Sequence, residues 1–578
     1  MLIRLKNIFY PLDKKDYYKL VLLFILILAA TFLELVGISL IIPILTIFIG
    51  DDYLKYTKFI FFVDINSKMH ALTLALTLFL VIYFLKLFVM IGLTYFQTIF
   101  SFDLYRKISQ RIFKNYLFKD YLFHISANSS NLLRNVTSES NMYAFGLILP
   151  VVALISDFII FISISMLLIF YSLTTSIIAI ILFSITSYII FRLTSFNLKT
   201  IGTLRQFHSA KMIKQVNEGL GSIKEIILYK LQNFFLKKFN THNNEYAKSG
   251  KLKNIITDLP RIILEFVTVV VFISAIFFLI KQGKSISEVM VVLGVFAFAS
   301  FRLLPSIVKL IKSFQTIKYN LPVLDLILKE LKKDNDPIIK NDRNKITIEN
   351  KFEFQNLKFK NLYYSYNLNE DVKNILTDIN FTINKKDKVG IQGESGSGKT
   401  TLINLIIGLL NNYEGEIILN GQKFENNILN LQNKIGYIPQ SVYLADESIL
   451  FNITLEDEKN VNFEKLQRIL STVELVNFVN MLPDKIHTII GERGSKLSGG
   501  QCQRIGIARA LYREPSIIIL DEATNALDEI TENKILSSIF NKNPEKTIII
   551  ISHNKSALKY CNKIFEMNSN KLNLISKQ

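Results

Sequence analysis

Gly393-Glu394-Ser395-Gly396-Ser397-Gly398-Lys399-Thr400 is a glycine-spaced octet ending in Lys-Thr, and its flanks decide how it is read. The strand-like Lys388-Val389-Gly390-Ile391 precedes it and the apolar run Thr401 to Leu410 follows, which places the octet at a strand-to-helix turn. In that setting the glycines let backbone N–H groups close around phosphate oxygens, while the helix N-terminus favours their negative charge. Lys399 is placed to neutralise the β- and γ-phosphates, and the Thr400 hydroxyl to bind Mg²⁺. The expected fold around it is an α/β P-loop NTPase domain over residues 351–575, with residues 393 to 401 at the nucleotide.

Working downstream, Ile517-Ile518-Ile519-Leu520-Asp521-Glu522 reads as a buried strand ending in two carboxylates. That placement suits Asp521 for the Mg²⁺ shell and Glu522 for polarising the attacking water. His553 follows directly on the apolar strand Thr547 to Ile551, which turns an otherwise ordinary surface histidine into a second catalytic candidate.

Working upstream, a charged, Asn-rich stretch reads as a linker, set at 321–350, and before it the composition changes. Six apolar runs, at roughly 19–47, 70–100, 145–169, 173–194, 260–280 and 286–312, reach the length of about 20 residues that a membrane helix needs. Residues 1–320 are therefore expected to form a six-helix all-α transmembrane domain, making the chain a multidomain membrane protein. The connecting segments 101–143 and 195–258 are long and basic, whereas 170–174 and 281–285 are very short. The long ones are assigned to the cytosol with both termini and the nucleotide domain, in a bacterial cytoplasmic membrane. The stretch Lys58-Phe59-Ile60-Phe61-Phe62-Val63 is amphipathic enough to lie on the outer surface, or equally to be an ordinary loop.

A net charge of +19 points to nucleic acid in a soluble chain. Here the lysines and arginines flank the apolar runs, so no nucleic acid is expected and the charge is assigned to topology and anionic membrane lipids. Cys502 and Cys561 both lie in the half assigned to the cytosol, and no disulfide is expected.

Leu497-Ser498-Gly499-Gly500-Gln501 resembles the motif that marks the ATP-binding cassette family. The resemblance implies that Ser498, Gly499, Gly500 and Gln501 open a helix facing the γ-phosphate held by another subunit. On the same basis Tyr366 resembles the aromatic that stacks on adenine, and Gln440 the loop glutamine that senses Mg²⁺. Asn525-Ala526-Leu527-Asp528 resembles the dimer-contact loop, with Asn where Ser is usual. His553 resembles the switch histidine. Six spans ahead of one cassette look like an exporter half-transporter, which implies a homodimer with two composite sites turning over ATP with Mg²⁺. Cytosolic loops around Asn131 to Met142 and Asn217 to Leu228 are the best matches to the segments that dock on the cassettes.

Glu34, Lys86, Asp157, Arg261, Glu265 and Arg302 are ionisable residues inside apolar runs, where each is costly in lipid. Lys86, Arg261 and Arg302 are expected to form a cationic belt for a phosphate or pyrophosphate head group. The alternative is that they snorkel or pair with the three carboxylates. Segments around Glu34, Pro260-Arg261 and Phe301-Arg302 are similar to bacterial flippases of lipid-linked oligosaccharides in protein N-glycosylation. That resemblance implies a polyprenyl-pyrophosphate saccharide moved from the inner to the outer leaflet. Export of another lipid or glycolipid, a peptide or a drug, or an ATP-gated regulator that transports nothing, are the alternatives.

Overall fold

The computed structural model describes residues 7–49, 68–171, 173–283, 286–332, 352–366 and 374–577. The amphipathic stretch 58–63 lies outside them. The chain divides into two compact units, one of Met1–Lys119 with Ser126–Asn344, the other of Asp120–Ile125 with Lys345–Gln578.

In the first unit, six helices among the described residues are long and apolar enough to cross a membrane: Lys14–Phe48, Lys68–Leu117, Ser129–Phe170, Ser176–Gly221, Gln232–Lys281 and Val289–Leu331. Most are far longer than a bilayer needs. The surplus is the basic segments read above as cytosolic, which extend the helices rather than form separate loops. The last helix runs on through Lys332, past the expected start of the linker at 321.

Two buried carboxylates tie these helices together. Glu34 faces Lys86 and Arg302, both at 3.0 Å. Glu139, fully buried, pairs with Arg205 at 3.0 Å and Arg134 at 3.7 Å. Glu139 ends a π-helical turn, Asn135–Glu139, and a second such turn spans Ala144–Ile148. This widening of the helix accompanies the turning of its polar residues Asn135, Glu139 and Ser140 inward.

Asn131 to Met142, expected as a docking segment, belongs to the first unit and buries Arg134, Asn135, Glu139 and Ser140. The part of the same connection that falls with the nucleotide-binding unit is Asp120–Ile125, overlapping the short helix Tyr121–Ser126.

The second unit holds two sheets. A four-stranded antiparallel sheet has the order β2 (Leu376–Asn384), β1 (Asn356–Tyr364), β4 (Glu414–Leu419), β5 (Gln422–Lys423). The main sheet has the order β10 (Lys571–Lys577), β9 (Lys563–Asn568), β3 (Lys388–Gly393), β8 (Thr547–Ile551), β7 (Ile517–Asp521), β6 (Ile435–Ile438). Its strands are parallel except for the edge pair β9 and β10. Every residue of β7 and β8 is buried, which is why both read as unbroken apolar runs rather than alternating ones. A doubly covered parallel sheet places its functional loops at the carboxyl ends of the strands, and that is where β3, β7 and β8 deliver Gly393, Glu522 and His553.

Candidate active site

The glycine-rich turn links β3 to the helix Lys399–Ile406. Gly398 is the cap of that helix at φ 103°, a left-handed conformation that side chains resist. The Lys399 ammonium donates to the carbonyl oxygens of Gly393 and Glu394 at 2.6 and 2.7 Å, which holds it across the mouth of the loop. Ser397 Oγ is buried and without a hydrogen-bond partner among the described residues. An orphaned hydroxyl inside a ring of backbone N–H groups fits a phosphate oxygen. Thr401 is buried and meets the Tyr366 hydroxyl at 3.3 Å, so the expected adenine-stacking ring sits beside the loop.

Glu522 follows β7 at φ 49° and is gripped from three sides. Gln440 Nε2 donates to its Oε2 at 2.7 Å and Asn525 Nδ2 to the same oxygen at 3.1 Å. His553 Nε2 lies 3.4 Å from the other oxygen, Oε1. The structure thus gathers three widely separated residues on the carboxylate assigned to the attacking water. Asn525 takes part through an amide that the serine usual at this position lacks. Asp521, one residue earlier, is 5% exposed and accepts from the Tyr437 hydroxyl at 3.1 Å. Burial pushes its carboxyl above the usual range. The Tyr437 hydrogen bond pulls the other way, Glu522 pushes it up further, and Lys399 opposes that. Thr400, Gln440 and Asp521 together offer hydroxyl, amide and carboxylate oxygens, the donor set a hard cation such as Mg²⁺ takes.

The Leu497–Gln501 turn is built but stands apart. Ser498 accepts from the Gln501 N–H at 3.3 Å and Gln501 Oε1 accepts from the Ser498 N–H at 2.8 Å, a reciprocal cap on the helix Gly499–Tyr512. Ser498 and Gly499 are exposed, and Gly500 packs on the Ala526 carbonyl. Asp528 caps the following helix by accepting from the Thr531 N–H at 2.9 Å, and that bond holds its carboxyl below the usual range.

Of the three expected belt residues, Lys86 and Arg302 converge on one oxygen of Glu34. Arg261 instead pairs along its own helix with Glu265 at 2.8 Å. Arg261 and Arg302 do share a cavity of about 1360 Å³, where Lys309 and Lys312 join them. Sequence reading passed over both lysines because they fall at the end of an apolar run. Their spacing, seven and ten residues after Arg302, is the signal that places them on its side of the helix.

A glycine-rich turn beside two adjacent carboxylates at the strand ends, in a chain with six membrane-length helices among the described residues, has the layout of a membrane-bound P-loop ATPase. Residues 376–525 match the ABC transporter family and residues 20–303 the ABC transporter transmembrane region. The chain belongs to the ABC transporters. It is 37% identical over 234 residues to a putative export ATP-binding/permease protein of Rickettsia bellii, a match covering 40% of this chain and 39% of that one. The chain thus spans about two fifths of that relative's length. An ATP-dependent lipid A-core flippase of Pectobacterium atrosepticum is 28% identical over 461 residues, 79% of this chain and 77% of the relative. A solved bacterial Atm1-family ABC exporter with ATP bound superposes with a TM-score of 0.74 at 19% identity, covering 97% of this chain and 95% of that one. That likeness extends the exporter fold over nearly the whole length.

Proposed function

We propose that the chain is an ATP-hydrolysing exporter that works as a pair of identical copies and moves an anionic lipid-linked saccharide from the inner to the outer leaflet. The observation that carries the ATPase reading is the complete grip on Glu522 by Gln440, Asn525 and His553, beside a phosphate loop with Lys399 in place. Gln440 and Asn525 fix Oε2, and Oε1, which faces His553 at 3.4 Å, is left as the base for water. The Ser498–Gln501 turn, with Ser498 and Gly499 exposed, then suits a second copy, whose nucleotide it would close over. The bacterial cytoplasmic membrane, with both termini inside, follows from the basic flanks.

For the cargo, the support is the cavity lined by Arg261, Arg302, Lys309 and Lys312. Asp258 and Glu265 answer Lys312 and Arg261. Lys309 has no ion-pair partner within 4.0 Å among the described residues. An open cavity with cationic surplus, its Arg261 side chain 71% exposed, suits a phosphate-bearing head group, to which guanidinium groups offer bidentate donors. Lys86, bound to Glu34, supports Arg302 from behind. Relatives named for lipid A-core flipping agree with a lipid cargo; the polyprenyl-pyrophosphate saccharide is the finer reading that the resemblance adds.

The test is reconstitution in liposomes with a fluorescent polyprenyl-pyrophosphate oligosaccharide and, separately, other anionic glycolipids. ATP-dependent movement of the first, absent with Glu522→Gln, supports the whole reading. Movement of glycolipid alone keeps the exporter and removes the saccharide carrier. ATP turnover with no leaflet exchange of any probe removes transport.

A further inference from the structure

Asp521 and Glu522 are adjacent acids, and strand β6 beside them ends by supplying a donor to each. β6 pairs in parallel with β7, Tyr437 opposite Ile519 and Ile438 opposite Leu520. Tyr437 is partly buried and packs against the core cluster that includes Ile517 and Ile519. From there its hydroxyl reaches Asp521 Oδ2 at 3.1 Å, and three residues on Gln440 reaches Glu522 Oε2 at 2.7 Å. Among the described residues, Asp521 accepts no other side-chain hydrogen bond.

That bond has a physical task. A carboxylate that ligates a cation is held in place by a hydrogen bond to its other oxygen, and Tyr437 supplies that donor to Asp521. Burial first, then the Asp521 charge, push the Tyr437 hydroxyl well above its ordinary value, so it stays a donor across the physiological range. A phenol is also rigid: with the ring packed against the core, its oxygen selects one carboxylate oxygen and leaves the other free.

We propose that Tyr437 is a positioning residue for the divalent cation bound with the nucleotide: by holding Oδ2 of Asp521 at 3.1 Å it fixes the rotation of the carboxylate and leaves Oδ1 without a side-chain partner among the described residues, as the oxygen that would serve the metal. Tyr437 touches neither nucleotide nor metal in this role. The proposal rests on the ATPase reading above, and its test separates the two.

The experiment uses the full chain in detergent, Mn²⁺ as the probe and electron paramagnetic resonance to count free Mn²⁺ in the presence of ATP and a Glu522→Gln background. Tyr437→Phe removes only the hydroxyl. Expected is a five- to tenfold rise in the Mn²⁺ concentration for half-saturation, with ATP affinity in EDTA unchanged. Added to Asp521→Asn, the same change should weaken Mn²⁺ binding no further. An unchanged Mn²⁺ midpoint, with melting temperature and EDTA-state ATP affinity lowered instead, makes Tyr437 a core residue only and overturns the proposal. If the unaltered chain binds no Mn²⁺ with ATP, it is the ATPase reading that falls.

Discussion

Arg302 Nε stands 3.0 Å from Oε2 of Glu34, and Lys86 Nζ stands at the same distance from the same oxygen. Three transmembrane helices therefore meet at one carboxylate whose side chain is 3% exposed. Removing one member of a buried pair leaves its partner uncompensated, which costs about 3 to 5 kcal/mol. Glu34→Gln strands two cations and should cost the most. Lys86→Met leaves Arg302 to neutralise Glu34 and should cost least. Melting of the purified variants in detergent checks the order Glu34→Gln, Arg302→Met, Lys86→Met; equal shifts would mean that the cluster contributes packing and not charge balance.

Lys309 differs from Arg302 in having no carboxylate within ion-pair distance among the described residues, so its charge is available to a ligand. Lys309→Gln should raise the anionic lipid concentration that half-stimulates ATP hydrolysis by roughly tenfold, one charge-assisted hydrogen bond being worth about 1.5 kcal/mol or more. Basal hydrolysis should stay within about twofold, and the difference between variant and parent should shrink as salt is raised. A titration of stimulation against lipid at two ionic strengths reads both.

Glu522 is the carboxylate on which Gln440, Asn525 and His553 converge. Glu522→Gln keeps the shape and removes the base, so turnover should fall by about 10²- to 10⁴-fold while ATP stays bound. Trapped nucleotide should hold two copies together, visible as a doubled mass by light scattering with Mg²⁺ and ATP. Asn525→Ser withdraws only the longer of two bonds to Oε2 and should lower turnover several-fold with ATP affinity intact.

The local grammar of this chain was readable and its long-range pairings were not. The octet at Gly393–Thr400 and the apolar strands β7 and β8 announce themselves, because a fully buried parallel strand has no polar face to disguise it. Gln440, Asn525 and His553 were recognisable singly through family resemblance. That all three grip one carboxylate is a fact of strand order, β8-β7-β6, which periodicity does not encode. The cationic belt shows the limit most clearly. The spans were visible as apolar runs and their charged residues as exceptions, yet which cation meets which anion depends on helix rotation and tilt. Lys86 and Arg302 turned toward Glu34, while Arg261 found Glu265 one helical turn away. Tyr437 carried no signal, since a tyrosine in a strand is ordinarily a core residue.

Gly393 tests how tightly the phosphate loop is seated on the sheet. Its φ is 150°, and a Cβ placed there would come within 2.3 Å of the Met567 carbonyl oxygen on β9. Backbone of a neighbouring strand cannot swing aside as a side chain can, so Gly393→Ala has to part β3 from β9, with which it pairs at this very residue. Gly396, at φ 82°, has nothing within 4 Å of its virtual Cβ. Alanine there meets only the left-handed strain of roughly 1 to 2 kcal/mol. Without nucleotide, hydrogen exchange of the β3 and β9 amides should therefore accelerate strongly in Gly393→Ala and stay close to the parent in Gly396→Ala. The loop displaced by the first change should lose ATP, read with a fluorescent nucleotide, even though Lys399, Thr400 and Asp521 are all still present. Retained ATP affinity in Gly393→Ala would mean that the phosphate loop holds its shape independently of the strand pairing beneath it.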